Sequence, residues 1–464
     1  MSADSRSRVV ARTTRRDALL ALAGGALAAR SLMARTSHAH GRVQRGGRLS
    51  LRAPWPLASV DPHRLDDAAA LFFGGCLFDS LYALDASGAV SSVLAETLPE
   101  VSPEGTYVVL REGVRFASGK PLTARDVVAS IARARTLGAR GWLDGLGRVR
   151  VSAPGVVVVL ARNPDHVAKA LASPLAAIVP EHFTPERPDG TGPFAFQAHH
   201  DEGALSLVQN RYAAQGPSFL DELSISSAPD LAASLRSFES GEDDIAWLGL
   251  GLHEPRRGAV PFDAGLLGWA ILRTGNDAGR WSAPGVAQRL ADGIDPSRLA
   301  ALGIRDRKTV EVDDGWGGAP AALLVRADSP WLVELARAVA AALSRPSHEV
   351  VARPVSPADF AAARASHAYA LAVDLVRPFD RTPLGTCVAL ATSDDPARGD
   401  EMARRPPLGD AALGSRAIGH VLRVGVLAEV HFEGGHMPDL VLPPGTGGVG
   451  VDFGSITHPH PRVL

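Results

Sequence analysis

The sequence predicts an α/β fold on three observations. Short β-like runs alternate with amphipathic helical runs along most of the chain. The composition, 46% apolar and 21% charged over 464 residues, is that of a chain that buries a core. No apolar stretch reaches the roughly 20 residues that a membrane-spanning helix needs, which argues against an integral membrane protein of that kind. At roughly 150 residues per domain, the length allows about three domains.

The elements follow in chain order. Gly47–Ala53 alternates and reads as a first strand. Leu77–Leu84 carries an apolar, helix-like face. Thr106–Arg111 alternates and ends at Glu112-Gly113, a strand followed by a turn. Thr123 followed three residues later by Asp126 is a capping pair, so a helix starts there with Val127, Ile131 and Ala134 on its inner face. Val156–Leu160 is a buried strand by composition, and Gly203–Gln209 is an alternating one. Asp230–Phe238 is a helix, with Pro229 before it and Gly241 past its end. Ser329-Pro330 and Ser356-Pro357 open two more helices. Strands at 321–325, 350–355 and 371–375 lie around and between them. Cys76 and Cys387 are too few for a disulfide framework; they can form one bridge or remain two buried thiols.

Residues 1–39 stand apart. They hold seven arginines and two acids, then a 12-residue apolar run from Ala18 to Ala29, then Ser37-His38-Ala39 as a cleavage site. This order is that of a secretory signal peptide. Arg15-Arg16, one residue (Asp17) before the weakly apolar run, resembles a twin-arginine (Tat) signal. Export in a folded state to the periplasm, with cleavage near Ala39, is the expectation. Without that segment the chain has 41 basic and 48 acidic residues, and no basic stripe, so nucleic-acid binding is disfavoured.

Several short motifs occur in a fixed order. Val60-Asp61-Pro62-His63 comes first, then Leu77-Phe78-Asp79-Ser80-Leu81-Tyr82, then Leu94-Ala95-Glu96. Gly119-Lys120-Pro121-Leu122-Thr123-Ala124 follows, then Gly190-Thr191-Gly192-Pro193-Phe194, then Asn210-Arg211-Tyr212 and Pro217 to Asp221. Over about residues 60–250 this series resembles the extracellular solute-binding proteins of family 5, which serve peptide and nickel ABC transporters. Val286–Asp295 echoes the same family, but the region beyond it is shortened and diverges.

The resemblance implies a two-lobed periplasmic binding protein fold, type II-like, with an extra small domain in lobe one. By analogy, lobe one comprises 47–60, 190–245 and 421–464. The small domain spans 61–189, and a shortened lobe two spans 246–420. Such proteins close on a ligand by hinge motion. The implied role is the substrate-binding component of an ABC importer, a monomer capturing a small peptide-like or other polar solute and delivering it to a permease. Neither enzymatic activity nor a cofactor is implied. Trp55, Trp247 and Trp269 are the aromatic candidates for the cleft, and Asp374 and Asp380 are the candidates for a ligand ammonium.

Two other readings compete. A divergent member with a reduced cleft would serve as a non-transport interaction or sensory protein. Nickel binding is the third, for which His431 and His436, near Glu433, and the tail pair His458 and His460 are the candidates. His431 and His436 are five apart across Gly434-Gly435, which fits no helical ligand spacing, so no metal site is assigned from sequence. Gly445–Gly450 fits GxGxxG but has only 14 residues after it, so a dinucleotide site is excluded, and Asp452-Phe453-Gly454 lacks any kinase context.

Overall fold

The computed structural model describes residues 45–442 and 452–457, apart from 56, 86, 201–202, 248–258, 301, 303–314, 381 and 406–413. The signal segment, the 445–450 glycine run and the His458/His460 tail lie outside the described residues.

The strands are β1 (Arg48–Ala53), β2 (Tyr82–Leu84), β3 (Val90–Ser92), β4 (Glu100–Ser102), β5 (Gly105–Val109), β6 (Arg148–Ala153), β7 (Val156–Leu160) and β8 (Phe194–His200). They continue with β9 (Ala204–Gln209), β10 (Glu222–Ser227), β11 (Ile245–Trp247), β12 (Val260–Thr274), β13 (Ala321–Arg326), β14 (Val350–Val355), β15 (Leu371–Val376) and β16 (Val424–His436). The longer helices are α1 (Ala68–Leu77), α2 (Ala124–Ala134), α3 (Leu231–Ser240), α4 (Val286–Asp292), α5 (Pro330–Leu343), α6 (Pro357–Ser366), α7 (Pro383–Asp394) and α8 (Pro396–Arg404).

Ten strands form one sheet in the order β14-β13-β15-β12-β16-β11-β1-β10-β9-β8. Its flanks are built from parallel pairs, β13 with β14 and β15 on one side and β1 with β10 and β11 on the other. Helix α5 connects β13 to β14, as a parallel crossover requires. The two long strands β12 and β16 run antiparallel between the flanks. Their ladder shifts register at Asp263/Leu266, Leu266/Gly268 and Ala270/Ile271, and each irregularity bends and twists the pair. Strands β4-β5-β7-β6 make a separate sheet.

Local chemistry explains the elements that were expected. The backbone N–H and Oγ1 of Thr123 both donate to Asp126, closing the start of α2. Asp230 caps α3 and Gly241 ends it in the left-handed region. The helix-like reading of Leu77–Leu84 is corrected: α1 occupies Ala68–Leu77, and Tyr82–Leu84 is strand. The cause is tertiary. Gly192 N–H donates to the Leu77 carbonyl, and a Cβ on Gly190 would lie 2.0 Å from that same oxygen. The glycines of the Gly190-Thr191-Gly192 motif therefore let one backbone stop another's helix. Cys76 and Cys387 are both buried, and no disulfide joins them.

Beside two small clusters around Phe238 and Phe360, two large apolar cores result. One packs β1, β9, β10, α1, α5 and the inner strands. The other joins residues 65–178 to Trp269, Val376, Phe379, α7 and the start of β16.

Candidate functional site

Asp67 anchors the site. Its carboxylate accepts the N–H of Ala70 at 2.8 Å and that of Asp61 at 2.9 Å, so one residue caps α1 and ties down the preceding turn. Burial pushes this carboxyl up from its ordinary range, and the two backbone N–H groups only partly offset that. Facing it are residues at the end of β13 and the start of α5. A cavity of about 50 Å3 lies between them, lined by Trp55, Asp66, Asp67, Arg326, Asp328, Ser329 and Leu375. With its mouth to solvent the space is about 470 Å3.

Charges of both signs surround this cavity. Arg64 holds Asp66 with two bonds of 3.0 Å; Arg364 approaches at 3.2 Å and Arg326 at 3.8 Å. Burial alone would raise the Asp66 carboxyl, but the Arg364, Arg64 and Arg326 guanidiniums outweigh it and hold it well below the usual range. Arg326 also grips Asp328 through two bonds of 3.0 and 2.7 Å. Two lining residues carry unused polarity. Trp55 Nε1 and Ser329 Oγ are buried with no hydrogen-bond partner among the described residues. A buried donor left unmade costs about 1–3 kcal/mol, so such atoms mark a place where a ligand can compensate.

The five residues expected from sequence occupy different places. Trp55 lines the cavity, against Phe72 and Phe432. Asp374 is one bond removed: Arg273 and Arg364 hold its carboxylate, and Arg364 links it to Asp66. Trp247 packs edge-on to Trp331 in the first core. Trp269 lies in the second core. Asp380 accepts the N–H and hydroxyl of Thr382 at the start of α7, and burial pushes its carboxyl up. The structure thus brings Trp55 and Asp374 to one region and leaves the other three elsewhere. Asp66, Asp67, Arg326, Asp328 and Ser329 were not singled out from sequence. Their only signal was positional: Asp67 and Ser329 each stand just before a helix.

A wider depression of about 480 Å3 lies at Trp281, Trp316 and His348. All its lining residues fall within 277–370.

This architecture is that of the periplasmic binding proteins. The structure superimposes on AgaA from A. tumefaciens R10, solved with agropinic acid, with TM-score 0.69 at 16% identity, covering 90% of this chain and 99% of that one. It superimposes on DppA from Helicobacter pylori, solved with the peptide STSA, with TM-score 0.69 at 15% identity, covering 89% and 98%. Residues 89–256 match the bacterial extracellular solute-binding proteins, family 5 middle. Protein XP55 of Streptomyces lividans is 36% identical over 123 residues, 25% of this chain and 22% of that protein. The glutathione-binding protein GsiB of Salmonella typhi is 26% identical over 204 residues, 41% of this chain and 40% of that one. The matched segments thus span about a fifth to two fifths of these relatives. No helix among the described residues is long and apolar enough to cross a membrane.

Proposed function

We propose that the protein is the solute-binding component of an ABC importer and that it holds a small polar solute, of amino-acid to dipeptide size, in the Trp55–Ser329 cavity. The observation that carries this is the pair of unpartnered buried groups, Trp55 Nε1 and Ser329 Oγ, at a cavity bounded by two distant parts of the chain. An indole N–H can only donate, so the ligand must present an acceptor oxygen, such as a carboxylate or carbonyl. The Arg326 and Asp328 charges favour a solute carrying both signs. The small cavity favours a short ligand over an extended peptide.

The rest of the proposal follows from family and sequence. Residues 47–60, 190–245 and the C-terminal strand form lobe one, 61–189 its small domain, and 246–420 lobe two. The chain is exported through a Tat-type signal, acts as a monomer in the periplasm, and delivers its solute to a permease. It performs no catalysis.

Native mass spectrometry of residues 40–464, purified from a periplasmic extract without refolding, tests this reading. The expected result is a small adduct, lost on denaturation and absent from a Trp55→Phe, Ser329→Ala double variant that still folds. A clean mass, with no thermal shift against amino acids, dipeptides or nickel, would sink it.

The second reading, a reduced cleft in a non-transport protein, is favoured by one feature. Residues 65–178 share a continuous apolar core with 269–426. Small-angle scattering that stays unchanged across all ligand pools would move the balance to it.

A further inference from the structure

The β12–β16 ladder carries a second constellation, independent of the cavity. Asp263 stands opposite Glu433, and Leu266 stands opposite His431. The irregularity between these pairs sets Ala264 and Gly265 against the single residue Phe432, and Gly265 has φ +84°, a conformation that favours glycine. Gly265 N–H donates to Asp263 Oδ1 at 2.7 Å and aims the carboxylate back at β16. His431 and Glu433 are two residues apart on one strand, so both project from the same face. One donor atom from each of Asp263, His431 and Glu433 lies within 4.8 Å of the others. His431 Nδ1 is 3.3 Å from Asp263 Oδ1, about the spacing of two ligands bound tetrahedrally at ~2.0–2.1 Å.

The imidazole is also oriented. Its other nitrogen, Nε2, faces Glu429 Oε2 at 3.5 Å. With an ion on the Nδ1 side, Glu429 is placed to accept from Nε2–H, the usual outer support of a metal-bound histidine. Phe432, between the two ligands in sequence, faces the other way and stacks on Phe72 beside Trp55. The constellation is therefore on the opposite side of β16 from the Trp55 cavity. His436, five residues from His431, is not part of it; its Nδ1 bonds the Met437 carbonyl instead.

We propose that Asp263, His431 and Glu433 form a site for a divalent first-row transition ion, with an open position for water. The imidazole is a borderline donor beside two hard carboxylates, a mixed set that suits zinc or manganese better than the all-oxygen preference of calcium or magnesium. The ion would join residues 168 positions apart across the irregular stretch of the ladder, and so fix the bend between the two long strands. It is a resident ion and not the transported solute, since it does not touch the cavity.

The test uses the tag-free mature chain, stripped with EDTA and dialysed against zinc. The expected uptake is one zinc per chain, with a rise of a few degrees in thermal midpoint as binding favours the folded state. Asp263→Asn and Glu433→Gln should each lower zinc affinity at least tenfold. Asp263 is partly exposed, so its variant keeps the fold even where Glu433→Gln does not. A His458→Gln, His460→Gln variant should keep full uptake. Absence of zinc uptake, uptake unchanged by Asp263→Asn, or uptake lost in the tail variant would each overturn the proposal. Adduct formation at the Trp55 cavity is read separately, so either result stands without the other.

Discussion

Residues 61–178 meet the second half of the chain at two joints of opposite character. One is ionic: Asp66 faces Arg326 and Arg364, and Arg377 donates to the Pro62 and Arg64 carbonyls. The other is apolar: Trp142 stacks on Phe379 with centroids 5.6 Å apart and planes 7° from parallel, above Leu143, Cys387 and Leu390. Water can solvate the groups exposed by opening the first joint. Opening the second exposes aromatic and aliphatic surface at about 25 cal/mol per Å2. Opening the ionic joint therefore exposes less apolar surface than opening the other.

The largest effects break one joint at a time. Asp374→Ala removes one anchor of Arg364, the residue that bridges Asp374 to Asp66 in the ionic joint, leaves Arg273, 2% exposed, without its carboxylate, and should cost about 3–5 kcal/mol. Trp142→Ala removes the apolar stack and should cost about the same, by cavity formation. Urea unfolding measures both. The two should differ in ligand response: added solute should recover stability in Trp142→Ala as in the wild type, but less in Asp374→Ala, whose network borders the cavity. Equal recovery in both would erase the distinction.

A slightly smaller effect comes from acid. His63 is fully buried, with Nε2 bonding the Ala177 carbonyl and Nδ1 facing Arg133. Burial, with help from the Arg133 charge, pushes the imidazole down to about 4. The unfolded chain binds a proton near pH 6.5 and the folded one only near 4. Stability from this residue is thus complete above 6.5 and is lost as pH falls toward 4, by roughly 3 kcal/mol. Asp61, whose burial is outweighed by Arg133, is also held low, but it titrates below that window. Buried acids such as Asp67 and Asp380, whose carboxyls are pushed up, act with the opposite sign. The diagnostic quantity is therefore a difference: wild type should lose more stability than His63→Gln between pH 7 and 4.5. Parallel curves would exclude His63 as the cause.

The same comparison explains what the sequence reveals. The capped start of α2, the strand at 156–160 and α3 are local, encoded by neighbours within four residues, and they form as expected. The Leu77–Leu84 reading failed because the stop at Leu77 comes from Gly192, which no local pattern contains. The ionic joint was equally hidden: Arg364 and Asp66 are 298 positions apart, and each alone resembles a solvated surface charge. Trp55, the aromatic candidate in the segment after the first strand, lines the cavity. Asp374, a candidate for a ligand ammonium through the family resemblance, is instead held by Arg273 and Arg364, partners that no local pattern shows.

The smallest expected effect probes the cavity itself. Ser329 precedes Pro330 at the start of α5, yet its hydroxyl forms no capping bond. A hydroxyl spent on capping would cost about 1 kcal/mol of stability when removed. One that waits for a ligand should cost little stability and should appear in binding instead. Ser329→Ala should therefore leave the urea midpoint unchanged or raise it, while weakening solute binding about three- to tenfold, roughly the worth of one neutral hydrogen bond. Titration calorimetry of the identified solute reads the second quantity. Loss of stability with unchanged affinity would return Ser329 to the scaffold, and would leave Trp55 Nε1 as the fully buried lining donor without a partner among the described residues.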